Sequence, residues 1–342
     1  MIPVNGDACN DRLMRITQPS LSFRQEEDPE EQATRLRDCF RSLLGMDVIE
    51  SNAAPLSSPL LEYTEKKDGY TEIRFLFESE QDCLVPCYLL LPDGDGRFPL
   101  VITLQGHTTG VHNSIGKPLF PGDDAYIASR GDFARQAVAQ GYAALAIEQR
   151  GMGERASKAE NRSTGCRFAS NRALLLGKTL LGERIFDISR AIDVIPLLPA
   201  ELSGKIDLSR IACTGNSGGG TATYYAACYD PRICVAAPSC SVCSYADSIG
   251  DLYHCECNYI PRALRFFEMG DLALLIAPRR LIVIAGEKDP IFPIGGVRAA
   301  FRTIDAIYHK TGCPDHARLI VTPRDHYWCK DLIWPAIRDA LR

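Results

Sequence analysis

Six unbroken apolar runs constrain this chain more than any other feature. They read Leu100-Val-Ile-Thr-Leu104, Ala143-Ala-Leu-Ala-Ile147, Arg210-Ile-Ala-Cys213, Cys234-Val-Ala-Ala237, Leu281-Ile-Val-Ile-Ala285 and Leu319-Ile-Val321. A strand with one wet face alternates polar and apolar residues, whereas a run that is apolar throughout suits a strand covered on both faces of a parallel sheet. Helix-like segments fall between the runs, near 129–140, 182–198, 217–229, 295–310 and 330–341. Strand and helix in alternation predict a doubly wound α/β fold. Upstream, Thr71-Glu-Ile-Arg-Phe-Leu-Phe77 alternates as a half-buried strand should. Cys83-Leu-Val-Pro-Cys-Tyr-Leu-Leu-Leu91 reads as its hairpin partner, with Pro86 arguing for an edge position. Residues 1–60 are polar and acidic, with one helical pattern over 30–44, and are expected to pack as a helical extension on a main domain of 61–342. Residues 240–275 break the rhythm with aromatic, cysteine and acidic residues. They are expected to form a small cap over the carboxyl ends of the strands, where such sheets bind ligands.

Composition narrows the classes of function. The net charge is −5 and no basic block stands out, which argues against nucleic acid as a partner. No apolar run approaches the ~20 residues of a membrane span, and the first residues lack the charged-then-apolar pattern of a signal peptide. A soluble, cytoplasmic protein is expected. Fourteen cysteines are many, but several lie inside the apolar runs (Cys83, Cys87, Cys213, Cys234), where a reduced thiol acts as a small hydrophobe.

The chemistry concentrates at Gly215-Asn-Ser217-Gly-Gly-Gly220, between an apolar run and a helix-like run. This matches G-x-S-x-G, a strand-to-helix turn that pushes a serine hydroxyl out above the sheet. A glycine-rich turn that holds phosphate, or merely packs, is the competing reading. The Gly218 N–H would face the oxyanion of a tetrahedral intermediate, aided by the positive end of the helix. A serine needs a base to take its proton, and in this arrangement an acid and then a histidine should follow along the chain. Asp289 lies just past the run 281–285, and His326 lies past 319–321. Asp289 would orient the imidazole; His326 would serve as general base and then general acid. The loop Gln105-Gly106-His107 after the first run is expected to supply a second oxyanion donor, the N–H of His107. Arg150, in Glu148-Gln-Arg150-Gly-Met-Gly153, is expected to tie neighbouring loops together.

With these residues in view, the chain from about 20 to 342 resembles the α/β-hydrolase superfamily, and within it the dienelactone-hydrolase-like and acetyl-xylan-esterase-like bacterial proteins. The marks are Gly106-His107, Gln149-Arg150-Gly151-x-Gly153, the Ser217 turn, Asp289-Pro-Ile-Phe-Pro293, Asp325-His326 and His254-Cys255-Glu-Cys257-Asn-Tyr-x-Pro261. The resemblance implies a mostly parallel eight-stranded sheet, helices on both faces and ester hydrolysis through a serine acyl-enzyme without a cofactor. Many such relatives read His-Gly where this chain has Gln105-Gly106, and the cysteine nucleophile of true dienelactone hydrolases is replaced by Ser217. The expected activity is that of a serine esterase or deacetylase on a small-molecule or carbohydrate ester, with a serine peptidase or amidase as the alternative.

Two further groups stay open at the level of sequence. Cys240 and Cys243, with His254, Cys255 and Cys257, have enough soft donors for a zinc ion, although buried or pocket-lining thiols are the plainer reading and no metal is expected. Trp328 and Tyr259, among other aromatics, are candidates for the wall of an acyl or alcohol pocket.

Overall fold

The computed structural model describes residues 4–157 and 165–342. Nine strands form one sheet: β1 (Leu60–Lys66), β2 (Tyr70–Glu80), β3 (Cys83–Pro92), β4 (Phe98–Leu104), β5 (Ala143–Ile147), β6 (Ile206–Asn216), β7 (Ile233–Ser239), β8 (Arg280–Gly286) and β9 (Ala317–Thr322). Their order across the sheet is β1-β2-β3-β5-β4-β6-β7-β8-β9. The β1-β2-β3-β5 pairings are antiparallel and every pairing from β5 through β4 to β9 is parallel.

The α-helices are α1 (Ala8–Ile16), α2 (Pro29–Leu44), α3 (Met46–Ser51), α4 (Asp123–Tyr126), α5 (Phe133–Ala139), α6 (Cys166–Leu175), α7 (Leu180–Val194), α8 (Ala200–Ser203), α9 (Gly218–Tyr229), α10 (Ile294–Lys310) and α11 (Lys330–Ala340). Five of the six unbroken apolar runs are covered on both faces, and the sixth, in the edge strand β9, is only partly buried. Along β8, Leu281, Val283 and Ala285 join the core under α2, α7, α9 and α10, while Ile282 and Ile284 join the core under α5 and α11. Successive side chains on a strand point to opposite faces, so a strand packed on both sides has no polar positions to spare.

The ninth strand exceeds the eight that the resemblance implied. Leu60-Leu-Glu-Tyr-Thr-Glu-Lys66 is mostly exposed and pairs only with β2, so it has little apolar signature. Pro86 does not mark an edge strand, because β3 lies between β2 and β5. The proline is tolerated because the β3–β5 ladder stops at Cys87↔Ile147. One residue beyond, the Pro86 carbonyl accepts the Glu148 N–H at 2.9 Å, and no partner strand continues to call for the missing donor.

At α2, Asp28 caps the helix by accepting the N–H groups of Glu30 and Glu31 at 2.9 and 3.0 Å, and Pro29 opens it. Its buried stripe of Ala33, Leu36, Phe40 and Leu44 enters the core shared with the sheet. The Phe40 ring lies 5.9 Å from Tyr225 of α9 and 6.3 Å from Phe267. The 240–275 segment holds no α-helix. Its Met269–Leu275 turn is buried and packs chiefly on α10, α2 and α9, so this end of the expected cap belongs to the core.

Candidate active site

The chain leaves β4 for β5 on one side and later places β6 on the other. The strand order therefore reverses between β4 and β6, and a crevice opens at their carboxyl ends. The loop holding His107 follows β4, and Ser217 follows β6. Asp289 and His326 follow β8 and β9, at the same end of the sheet.

Ser217 stands between β6 and α9 with φ 58° and ψ −124°, a conformation rare for any residue with a side chain. Its N–H donates to the Ser239 carbonyl at 2.9 Å, and its own carbonyl accepts from Thr221 N–H at 2.8 Å. The turn packs directly on the end of β4. A Cβ at Gly219 would stand 2.0 Å from the Leu104 oxygen, and one at Gly215 would stand 2.4 Å from that same oxygen. Only hydrogen fits at either position, which is why the serine is flanked by glycines.

The His326 Nδ1 and Asp289 Oδ2 lie 2.8 Å apart. The other Asp289 oxygen accepts the N–H groups of Ile291 and Phe292 at 2.9 and 3.1 Å. Burial pushes this carboxyl up, yet His326 and these N–H groups hold it below its ordinary value. Phe292 stacks on the His326 ring, with centroids 5.9 Å apart and planes 14° off parallel. The His326 Nε2 is buried without a hydrogen-bond partner among the described residues, so the atom that would take a proton is not otherwise engaged. The arrangement can hold an imidazole in one orientation, with a carboxylate behind it and an open nitrogen in front.

Gly218 begins α9, so its N–H is one of the unpaired donors at that helix end. The His107 imidazole lies over it: a side-chain carbon on Gly218 would fall 3.0 Å from Cε1 and 3.1 Å from Nδ1. Behind the His107 loop sits Glu148, which the sequence did not single out. It is fully buried and accepts from Gln105 Nε2 at 2.9 Å, Val111 N–H at 3.1 Å and Glu154 N–H at 3.3 Å. Despite these donors, burial raises its carboxyl to about 8.

Arg150 sits beneath these loops, 2.7 Å from Glu80, 3.2 Å from Glu183 and 2.8 Å from Asp187. Burial pushes the Asp187 carboxyl up, but Arg150 and Arg155 hold it far below the ordinary range.

Trp328 does not wall a pocket. It is 1% exposed, its Nε1 donates to Gln136 Oε1 at 2.9 Å, and its ring packs on Phe133 and Trp334 in the core under α5 and α11. An indole buried with its one donor satisfied is a packing residue. Tyr259 is 41% exposed and lines a groove with Met14, Tyr245, Ile249 and Arg262; no member of the Ser217, Asp289, His326 set lines it.

The five residues left open from sequence as a possible metal group are divided. Cys240 Sγ faces the Tyr327 carbonyl at 3.8 Å, Cys243 Sγ faces the Pro293 carbonyl at 3.7 Å, and His254 Nε2 bonds Ser248 Oγ at 3.0 Å. Cys255 and Cys257 instead meet His107 and Cys166. Cys166 lies about ninety positions upstream of them, with no motif around it to announce the partnership. Donation from Cys166 and Cys255, reinforced by the Arg184 guanidinium, holds the Cys257 thiol well below its ordinary value.

A mostly parallel sheet with a serine turn at the strand-order reversal, and a histidine–carboxylate pair two strands further on, has the architecture of an α/β-hydrolase. The chain belongs to the Abhydrolase family, whose profile matches residues 6–327. A protein of Bacillus subtilis (strain 168) named as a hydrolase, YtaP, is 27% identical over 304 residues, covering 86% of this chain and 94% of its own length. Among solved structures, a protein named as an acetyl xylan esterase from Bacteroides fragilis superposes with a TM-score of 0.79 at 18% identity, covering 98% of this chain and 95% of its own. A glucuronoyl esterase from Solibacter usitatus superposes with a TM-score of 0.67 at 14% identity, over 95% and 97% of the two chains. At these identities the two structures establish a shared fold.

Proposed function

We propose that this protein is a serine carboxylic-ester hydrolase acting on an ester carried by a carbohydrate, an O-acetyl group first among the candidates. The observation that supports the reading best is the presence, at one end of the sheet, of a serine in a strained turn and a half-buried, aspartate-held histidine whose outer nitrogen is unengaged. In this reading His326 takes the Ser217 proton as the hydroxyl attacks the ester carbonyl. The N–H groups of Gly218 and His107 hold the oxyanion, and Asp289 stabilises the imidazolium without accepting its proton. His326 then protonates the leaving alcohol. Water enters by the reverse sequence and frees the acid.

The names of the similar structures, acetyl xylan esterase and glucuronoyl esterase, support a carbohydrate ester as substrate. Among the described residues no helix is long and apolar enough to cross a membrane. The fourteen cysteines, all free thiols here, suit a reducing compartment, and on that ground we assign the activity to the cytoplasm.

Hydrolysis of p-nitrophenyl esters from acetate to octanoate, with Ser217→Ala beside the wild type, tests the assignment. Acetate is expected to be preferred, and the variant to lose roughly four or more powers of ten in turnover. Equal activity in both chains, or cleavage of anilides but not esters, refutes it.

A further inference from the structure

Four soft donors from three separate segments meet beside the serine turn: His107 from the loop after β4, Cys166 at the start of α6, and Cys255 and Cys257 from the segment after β7. We propose that Cys166, Cys255, Cys257 and His107 Nε2 bind one zinc ion in a closed tetrahedral site.

The ligand atoms all lie within 4.8 Å of one another, and Cys257 Sγ is 3.3 Å from His107 Nε2. Tetrahedral zinc, with Zn–S of about 2.3 Å and Zn–N of about 2.0 Å, sets its donors roughly 3.3–3.8 Å apart. The cluster is thus one small inward adjustment of side chains from a coordination shell. Cys166 and Cys257 are buried, His107 and Cys255 are half-buried, and no carboxylate is in the set. Three thiolates with one imidazole select zinc over calcium or magnesium, and four protein ligands leave no open position for substrate.

Charge gives a second, independent argument. Arg184 is 2% exposed, and its guanidinium lies 3.0 Å from Cys166 Sγ. It also hydrogen-bonds Cys257, and it donates to the Arg150 carbonyl at 2.9 and 2.7 Å. Among the described residues no carboxylate forms an ion pair with it. A buried cation without a counter-charge is costly. A zinc ion held by three thiolates and one neutral histidine carries a net charge of −1, which balances the Arg184 guanidinium where no carboxylate does. Each thiol releases its proton to solvent on ligation, and no oxidation is involved.

The ion has a consequence for the neighbouring turn. With Nε2 on the metal, the His107 proton resides on Nδ1, the edge that faces Gly218. The zinc thereby fixes both the tautomer of His107 and the position of its loop. It also ties that loop to α6 and to the segment after β7.

The test is metal content and spectrum of the full chain, purified under reducing conditions and dialysed against chelator resin. One zinc per chain by elemental analysis is expected. It should fall to near zero in Cys166→Ser, Cys255→Ser and Cys257→Ser and stay at one in Cys243→Ala. Replacement by Co2+ in the wild type should give intense tetrahedral d–d bands with thiolate charge transfer, a readout that stands even if the variants fail to fold. Wild-type chain that holds no zinc, a weak octahedral cobalt spectrum, retention of zinc by all three serine variants, or a disulfide joining two of the three thiols would each overturn the site.

Discussion

The Glu148 carboxyl offers a perturbation whose magnitude follows from its surroundings. It is fully buried, and its ionised form is opposed by desolvation although three N–H groups point at it. Its folded value of about 8 stands above the ordinary glutamate value of 4.5, so between those pH values the folded chain holds a proton that the unfolded chain has lost. Stability must then fall as pH rises through that window and level off above about 8. Over the three units from pH 5 to pH 8, at about 1.36 kcal/mol per unit, the loss is at most ~4 kcal/mol. Glu148→Gln removes it while keeping the contacts. The new amide oxygen can accept from Val111 and Glu154, and once the Gln105 side chain turns over its Oε1, which has no hydrogen-bond partner among the described residues, can accept from the new NH2. The assay is thermal unfolding of both chains across pH 5–9 in one buffer series. The variant is expected to match the wild type near pH 5 and to gain several degrees in Tm by pH 8. Parallel curves for the two chains would mean that Glu148 is ionised throughout, its hydrogen bonds outweighing its burial, and would refute the reasoning.

Two further perturbations follow from packing. Gly219→Ala would drive a Cβ to 2.0 Å from the Leu104 oxygen, so the turn must move off β4; a loss of roughly 3 kcal/mol or more in urea unfolding, with turnover on p-nitrophenyl acetate reduced as the Ser217 turn shifts, is expected. Trp328→Ala should cost about 3–5 kcal/mol through the cavity left among Phe133 and Trp334. Its KM for p-nitrophenyl acetate should stay near the wild-type value; a large rise in KM with stability intact would return the indole to the substrate pocket.

How much was legible beforehand follows from how local each signal is. The strands from β4 to β9 could be read because both faces of each are apolar within five or so residues, and the serine turn because its glycines answer a contact with the adjacent strand β4. Strand β1 was not legible: Glu62, Glu65 and Lys66 dominate it, and it is held by hydrogen bonds to β2 rather than by burial. Trp328 was misplaced because proximity along the chain to His326 says nothing of which way an indole turns. The meeting of His107, Cys166 and Cys257 depends on three loops closing on one another, which no spacing encodes. The same holds for Glu148, whose neighbours look like any other strand-end polar residues.

The docking of α2 bears on how the chain comes to be folded during synthesis. The Phe23 N–H finds its partner, the Asp271 carboxylate, 248 residues later, and Phe40 waits for Tyr225 and Phe267. At about 5–20 residues per second, the ribosome takes roughly 12–50 s to supply that partner. For that interval the apolar stripe of the nascent amino terminus has nothing of its own to cover it, so this is the stretch on which a holding chaperone has the longest purchase.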